Sequence, residues 1–149
     1  MSEIRNIEYS DYYKNYLELL RFLTFIEPDK ITFDDFKKFI DSLTDNHQIF
    51  VIEDVSNKKI IGTITVLIEK KLIHNLGSVC HIEDVVVDTS IRNKGLGKLL
   101  INKAIEISNE RKCYKTILDC EAKNEGFYEK CNFVKKGSQM ALYNKLFDT

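Results

Sequence analysis

Three short stretches of this chain carry residues whose types and spacing could do chemistry. The first is Ile91-Arg92-Asn93-Lys94-Gly95-Leu96-Gly97-Lys98-Leu99-Leu100, an Arg-x-x-Gly-x-Gly turn. It follows the apolar run Val85-Val86-Val87 and opens a helix-patterned run, Leu96 to Glu110. Glycines let a backbone approach a ligand where a Cβ would collide. The free N–H groups of a helix's first turn, at the positive end of its dipole, then face that ligand. The turn suits a phosphate or pyrophosphate. It is not Walker A, because Leu99 follows Gly97-Lys98, and it is not the dinucleotide fingerprint, because Leu100 stands where the last glycine belongs.

The second stretch is His81-Ile82-Glu83-Asp84-Val85-Val86-Val87. Adjacent acids in a strand point to opposite faces. Burying one uncompensated is costly, so at least one should line a cleft or bind a partner, unless both lie at a solvated strand end. The third is Asn124-Glu125-Gly126-Phe127-Tyr128-Glu129-Lys130-Cys131-Asn132-Phe133. Asn124 reads as an N-cap. Tyr128, one turn into that helix, is either core or a hydroxyl at the sheet opening. Beside these lies an exposed-looking basic segment, Lys71-Leu72-Ile73-His74.

The elements that must position these residues follow from apolar spacing. Ile4 to Glu8 reads as a short strand, and Tyr12 to Phe25 has helical spacing. Thr32 and Asp35 form a capping box for a second helix along Phe33, Phe36, Phe39, Ile40 and Leu43. Gln48–Asp54 and Ile60–Glu69 are strands around a turn at Ser56-Asn57-Lys58-Lys59. Val79–Asp88 is a long strand, central and covered on both faces. After helix 96–110 come a strand over Thr116–Cys120, a short helix over Asn124–Lys130 closed by Asn132, and strands Val134–Ser138 and Met140–Leu146. The expected order is βααβββαβαββ, one α/β domain over residues 1–149 with a central, mostly antiparallel mixed sheet.

Composition narrows the function classes. A net charge of −1 disfavours nucleic acid as a partner. No apolar run reaches the length of a membrane span, and the N-terminus lacks a signal-peptide pattern. Cys80, Cys113, Cys120 and Cys131 form neither a zinc-type pair nor a secreted disulfide framework, so a cytoplasmic protein with reduced cysteines and no metal is expected.

With these residues in view, the chain resembles the GCN5-related N-acetyltransferase (GNAT) family, whose Arg/Gln-x-x-Gly-x-Gly/Ala loop holds the pyrophosphate of acetyl-CoA. The resemblance is narrower from Lys71 to Phe133. There Lys71 to Gly77, His81 to Val87, Cys113-Tyr114-Lys115, Leu118-Asp119-Cys120 and Lys123 to Phe133, together with Leu23-Thr24, are similar to family members that acetylate glucosamine 6-phosphate on the route to UDP-N-acetylglucosamine. The resemblance implies the splayed family sheet and acetyl-CoA as co-substrate. It implies a bulge in the strand of Glu83, whose backbone meets the acetyl group. Val85, Val86, Val87, Arg92, Asn93, Lys94, Gly95, Leu96, Gly97, Asn124 and Tyr128 would bind acetyl-CoA. Thr24, Lys71, Leu72, Ile73, His74, Glu83, Asp84, Val85 and Asp119 would meet the sugar phosphate.

The implied reaction is direct attack of the sugar amine on the thioester in a ternary complex. Glu83 through a water, or Asp119, would take the amine's proton. Tyr128 would steady the leaving thiolate, with proton delivery open if the site lowers its pKa. The resemblance also implies a homodimer whose C-terminal strands help complete the partner's site. Tyr143 stands where the family usually has an arginine for the sugar phosphate, which leaves Lys71, His74 or Lys145 to compensate. Cys80 stands where a glycine is usual. The other readings are acetylation of a different small amine or a protein N-terminus, and a CoA-binding module without catalysis.

Overall fold

Strands of alternating or continuous apolar residues build a five-stranded sheet in a computed structural model that describes residues 2–91 and 95–145. The chain divides into two compact units, 1–118 and 119–149. In the first, β1 (Ser2–Asn6), β2 (His47–Asp54), β3 (Lys59–Lys70), β4 (Ser78–Val87) and β5 (Lys115–Ile117) neighbour one another in chain order. All pairs are antiparallel except β4 and β5, which run parallel. This is the expected mixed sheet.

Both faces of the central strands are covered, so β3 is buried without a break from Ile60 to Val66. On one face α1 (Tyr16–Leu19) and α2 (Phe33–Asp41) enclose a core with Ile49, Val51, Ile60 and Val86. On the other lies α4 (Leu96–Glu110), which comes after a single-turn segment, α3 (Ile73–Leu76). Gly62 admits α4 closely: a Cβ there would lie 3.4 Å from side-chain carbons of both Leu100 and Ile52. The limits of α4 and the Thr32–Asp35 capping box are as the sequence predicts.

The single helix expected over 12–25 is instead three pieces: a 3₁₀ turn Tyr9–Tyr13, α1, and a 3₁₀ turn Leu20–Phe22. Its backbone is diverted at Lys14, whose carbonyl accepts the Ile60 N–H at 2.9 Å, and at Asn15, which turns left-handed at φ +62°. An ion network holds this detour. Fully buried Asp11 accepts both guanidinium nitrogens of Arg5 at 2.8 and 3.0 Å, and Glu53 bridges Arg5 and Lys14 at 2.6 and 2.9 Å.

β5 is shorter than the Thr116–Cys120 expected. It pairs with β4 only from Val79↔Lys115 to His81↔Ile117. Beyond that point the strands part, and among the described residues no strand lies on this side of β4 from Ile82 to Val87. Asp119 and Cys120 therefore belong to no strand.

In the second unit a 3₁₀ turn, Ala122–Asn124, leads into α5 (Glu125–Lys130), and Asn132 ends it left-handed at φ +72°, as predicted. Asn124 occupies the cap position, but its side chain makes no capping bond. The two C-terminal strands are not formed over 134–145; residue 146 lies outside the described residues. A strand needs a neighbour for its N–H and C=O groups, and this segment pairs with none among the described residues. Its apolar side chains are left open, with Val134 73%, Met140 94% and Leu142 92% exposed.

Candidate active site

The centre of the first unit's candidate site is a break in β4. Thr63 pairs with Val86 and Thr65 with Glu83, so Asp84 and Val85 together oppose the single residue Ile64. That extra residue is a β-bulge. It turns on Asp84, left-handed at φ +48°, a conformation that aspartate tolerates better than most residues. The predicted bulge is thus present. Asp84 is exposed and Glu83 half-buried, while Val86 is buried among Tyr16 and Ile60, so only its backbone can face a ligand. The bulge lies on the stretch of β4 that β5 has left, where ladder hydrogen bonding is interrupted on one edge and, among the described residues, absent on the other.

The second component is the start of α4. Gly95 caps it at φ +64°, and Leu99 N–H is bonded to the Gly95 carbonyl at 3.0 Å. The N–H groups of Leu96, Gly97 and Lys98 precede that first intrahelical bond. Among the described residues no side chain caps them, and no acid lies in the first turn. Among the described residues, a Cβ on Gly95 would meet nothing within 4 Å. Backbone donors and a helix dipole fit a pyrophosphate. Arg92, Asn93 and Lys94 lie outside the described residues.

The third component is the segment 71–77. Its ends are tied by a bond from Lys71 N–H to the Gly77 carbonyl at 2.8 Å. Between them His74, Asn75 and Leu76 are all left-handed, with φ of 53°, 55° and 63°. The His74 ring lies tilted over Tyr114 at 4.0 Å, and a Cβ on Gly77 would come 2.8 Å from the Tyr114 ring. Only glycine lets Tyr114 pack under the turn. Leu72 and Ile73 are exposed. Glu69, at the end of β3, joins this segment to the long strand: it receives Lys71 Nζ at 3.3 Å and His81 Nε2 at 2.9 Å. These two partners, His81 first, hold its carboxyl below the ordinary value. Thr24 is exposed in the bend after the 3₁₀ turn, its N–H bonded to the Leu20 carbonyl at 3.1 Å.

In the second unit Asp119 is exposed and accepts Gln139 Nε2 at 2.5 Å. Tyr128 is half-buried, edge-on to Phe127 and Phe133. Burial, then the charges of Cys120, Cys131 and Asp119, push its phenol above the ordinary value. A phenol so raised holds its proton more tightly. Tyr143 is 68% exposed.

Sequence reasoning placed the bulge, the helix start and the basic segment, and the structure brings Lys71 and His81 to one carboxylate. It missed Glu69, Tyr114 and Tyr16. Glu69 looked like any polar residue at a strand end. Tyr114 had one signal, the motif shared with relatives, but nothing in spacing tells that it supports a turn some forty residues earlier. Cys80 fills space under α4, its thiol 4.0 Å from the Ala104 carbonyl and raised by burial to about 11, so it is inert. Among the described residues no cluster of His, Cys, Asp and Glu could hold a metal, and no helix is long and apolar enough to cross a membrane.

Comparison with known proteins places this geometry. The model of the acetyltransferase (GNAT) family matches residues 2–133. Glucosamine 6-phosphate N-acetyltransferase of Arabidopsis thaliana is 43% identical, with 95% of this chain and 95% of that protein aligned. Glucosamine 6-phosphate N-acetyltransferase 1 of Dictyostelium discoideum is 40% identical over 93% of this chain and 88% of that protein. The crystal structure of glucosamine-6-phosphate N-acetyltransferase from Arabidopsis thaliana matches with a TM-score of 0.91 at 40% identity, covering 96% of this chain and 98% of that one.

Proposed function

The chain belongs to the acetyltransferase (GNAT) family, and on that premise we propose that it moves the acetyl group of acetyl-CoA to the amine of glucosamine 6-phosphate, releasing N-acetylglucosamine 6-phosphate and CoA. The observation that carries the reading is the β4 bulge at Asp84, on an edge freed by β5, in a chain 43% identical to a relative of that name over 95% of its length.

The residues take the following roles in this proposal. Backbone donors of Gly95 to Lys98, with Arg92 to Lys94 before them, hold the pyrophosphate, and the backbone of Val85 to Val87 and Asn124 hold the rest of the CoA chain. Lys71 and His74, with Thr24, Leu72 and Ile73 beside them, hold the sugar phosphate; Asp84 and Asp119 hold the sugar. A phosphate dianion competes for Lys71 with Glu69, which His81 also holds. The amine gives its proton to Glu83 through a water, or to Asp119, and then attacks the thioester carbonyl directly. An N–H group at the bulge meets the oxyanion that forms. The CoA sulfur leaves with the electron pair of the broken C–S bond, and the Tyr128 hydroxyl donates to it. Burial raises that phenol above its ordinary value, which supports the donor role. No acyl-enzyme is formed.

The whole chain acts as one N-acetyltransferase domain, paired with a second copy. The exposed Leu72, Ile73, Leu76, Met140 and Leu142 support pairing, and Tyr143 or Lys145 of that second copy supplies the phosphate contact for which the family usually has an arginine. The compartment is the cytoplasm, in keeping with four free cysteines.

The test is CoA-thiol release from acetyl-CoA with a panel of amines, and the mass of each product. Glucosamine 6-phosphate should be turned over, gaining one acetyl group, while polyamines and N-terminal peptides should not. Release with those amines and none with the sugar phosphate would contradict the proposal.

A further inference from the structure

Behind the bulge, on the face away from α4, lies a buried pair of hydroxyls that the acetyl-transfer scheme does not use. Tyr16 is only 6% exposed, and its hydroxyl is 3.2 Å from Thr63 Oγ1. Thr63, 1% exposed, donates in turn to the Phe50 carbonyl of β2 at 3.0 Å. Oγ1 has one proton and gives it to Phe50, so the Tyr16 hydroxyl is the donor in the first bond. Thr63 is also the residue of β3 directly opposite Val86, the first residue of β4 to regain register after Asp84 and Val85. Val86 and Tyr16 share one apolar cluster with Phe36 and Ile60. Hydrogen bonds therefore run from α1 through β3 to β2 at the rung where the bulge closes.

We infer that Tyr16 is a positioning residue for acetyl transfer: its buried hydroxyl, acting through Thr63, fixes the rung that sets the direction of the bulge at Asp84 and Val85. A bulge lacks the full ladder that keeps an ordinary strand in place. This one has no strand on its other edge from Ile82 to Val87 among the described residues, so its geometry depends on the β3 side. The brace does not change with working pH. Burial first, then the charges of Asp84 and Asp11, push the Tyr16 phenol up to about 12 against the lowering effect of Thr63, so the donor stays protonated. The Arg5–Asp11 pair and the Lys14 carbonyl hold the segment that delivers Tyr16.

The kinetic half of this inference rests on the acetyl-transfer reading; the structural half does not. Tyr16→Phe removes the donor, keeps the ring against Phe36, and leaves Thr63 bonded to Phe50. Amide hydrogen exchange at 83–86 should speed up about tenfold relative to the rest of β3 and β4, the loss expected from one hydrogen bond. Turnover should fall about tenfold, with both Michaelis constants within about twofold. Unchanged exchange at 83–86 in a folded Tyr16→Phe protein, or faster exchange with unchanged turnover, overturns the inference. If Tyr16→Phe does not fold, Thr63→Ser and Thr63→Val decide it. The serine keeps the hydroxyl and should keep turnover near wild type, whereas the valine should lose it; equal turnover of the two overturns the inference. A wild-type chain that acetylates no sugar amine defeats the function proposal, and the exchange measurement still judges the brace.

Discussion

Two carboxylates in the first unit each bridge two bases, and the two sites differ in everything else. Glu53 joins Arg5 and Lys14 beside fully buried Asp11, with contacts of 2.6 to 2.9 Å. Glu69 joins Lys71 and His81 at the end of the sheet, half-open to water, at 3.3 and 2.9 Å. In the first cluster the charges are closed in with their partners, and every change must be paid in stability. The second is open to water, so on the proposed function a ligand anion can take one partner, and change should appear in substrate affinity. On the proposed function, the same local chemistry serves fold in one place and recognition in the other, and burial decides which.

The largest effect should come from the closed cluster. Asp11→Asn leaves Arg5 one carboxylate short in a buried setting and should destabilise by about 3 kcal/mol, read by denaturant titration. A loss of less than ~0.5 kcal/mol would put Asp11 among ordinary surface ion pairs.

Next comes Gly77→Ala. Its Cβ, 2.8 Å from Tyr114, must displace that ring and the His74 that rests on it, at about 1–3 kcal/mol of overpacking. The Michaelis constant for the sugar phosphate should rise while that for acetyl-CoA holds. Equal changes in both would detach the 71–77 turn from the sugar site.

Lys71→Ala should raise the Michaelis constant for the sugar phosphate about tenfold, the loss of one charge-assisted contact, with stability within about 0.5 kcal/mol. Steady-state kinetics at two salt concentrations checks both, since the contact should weaken with screening.

The smallest effect separates the clusters by acid. Arg5 and Lys14 hold the Glu53 carboxyl below its ordinary value, and His81 and Lys71 do the same for Glu69. A carboxyl depressed in the folded state gives its full stabilisation above the unfolded pKa, about 4.5, and loses it as pH falls through the folded value. Both clusters should therefore lose stability below about pH 4.5. In Glu53→Gln that acid limb should flatten even at high salt. In Glu69→Gln the change should be slight and vanish with salt. Equal flattening in the two proteins would erase the distinction drawn here.

The elements that sequence showed best were those whose signal is local. Helix α4 has its own period and a glycine start, and α2 its capping box. The bulge was foreseeable only because the family resemblance named the strand. What was not legible depends on distant partners. The break at Asn15 is set by Ile60, the length of β5 by where its pairing with β4 ends, and the C-terminal strands by a neighbour that no part of 134–145 supplies. Glu69 and Tyr16 share that character: each matters through a residue more than ten positions away, which periodicity does not reveal.

The central claim is that the open basic segment selects a phosphorylated amino sugar. It is tested most directly by the ratio of kcat/KM for glucosamine 6-phosphate to that for glucosamine, measured by CoA-thiol release in the wild-type protein. The account predicts a ratio of about a hundred or more, the worth of two charge-assisted contacts to the phosphate. Comparable efficiencies for the two sugars would contradict it and leave an acetyltransferase of another amine as the better description.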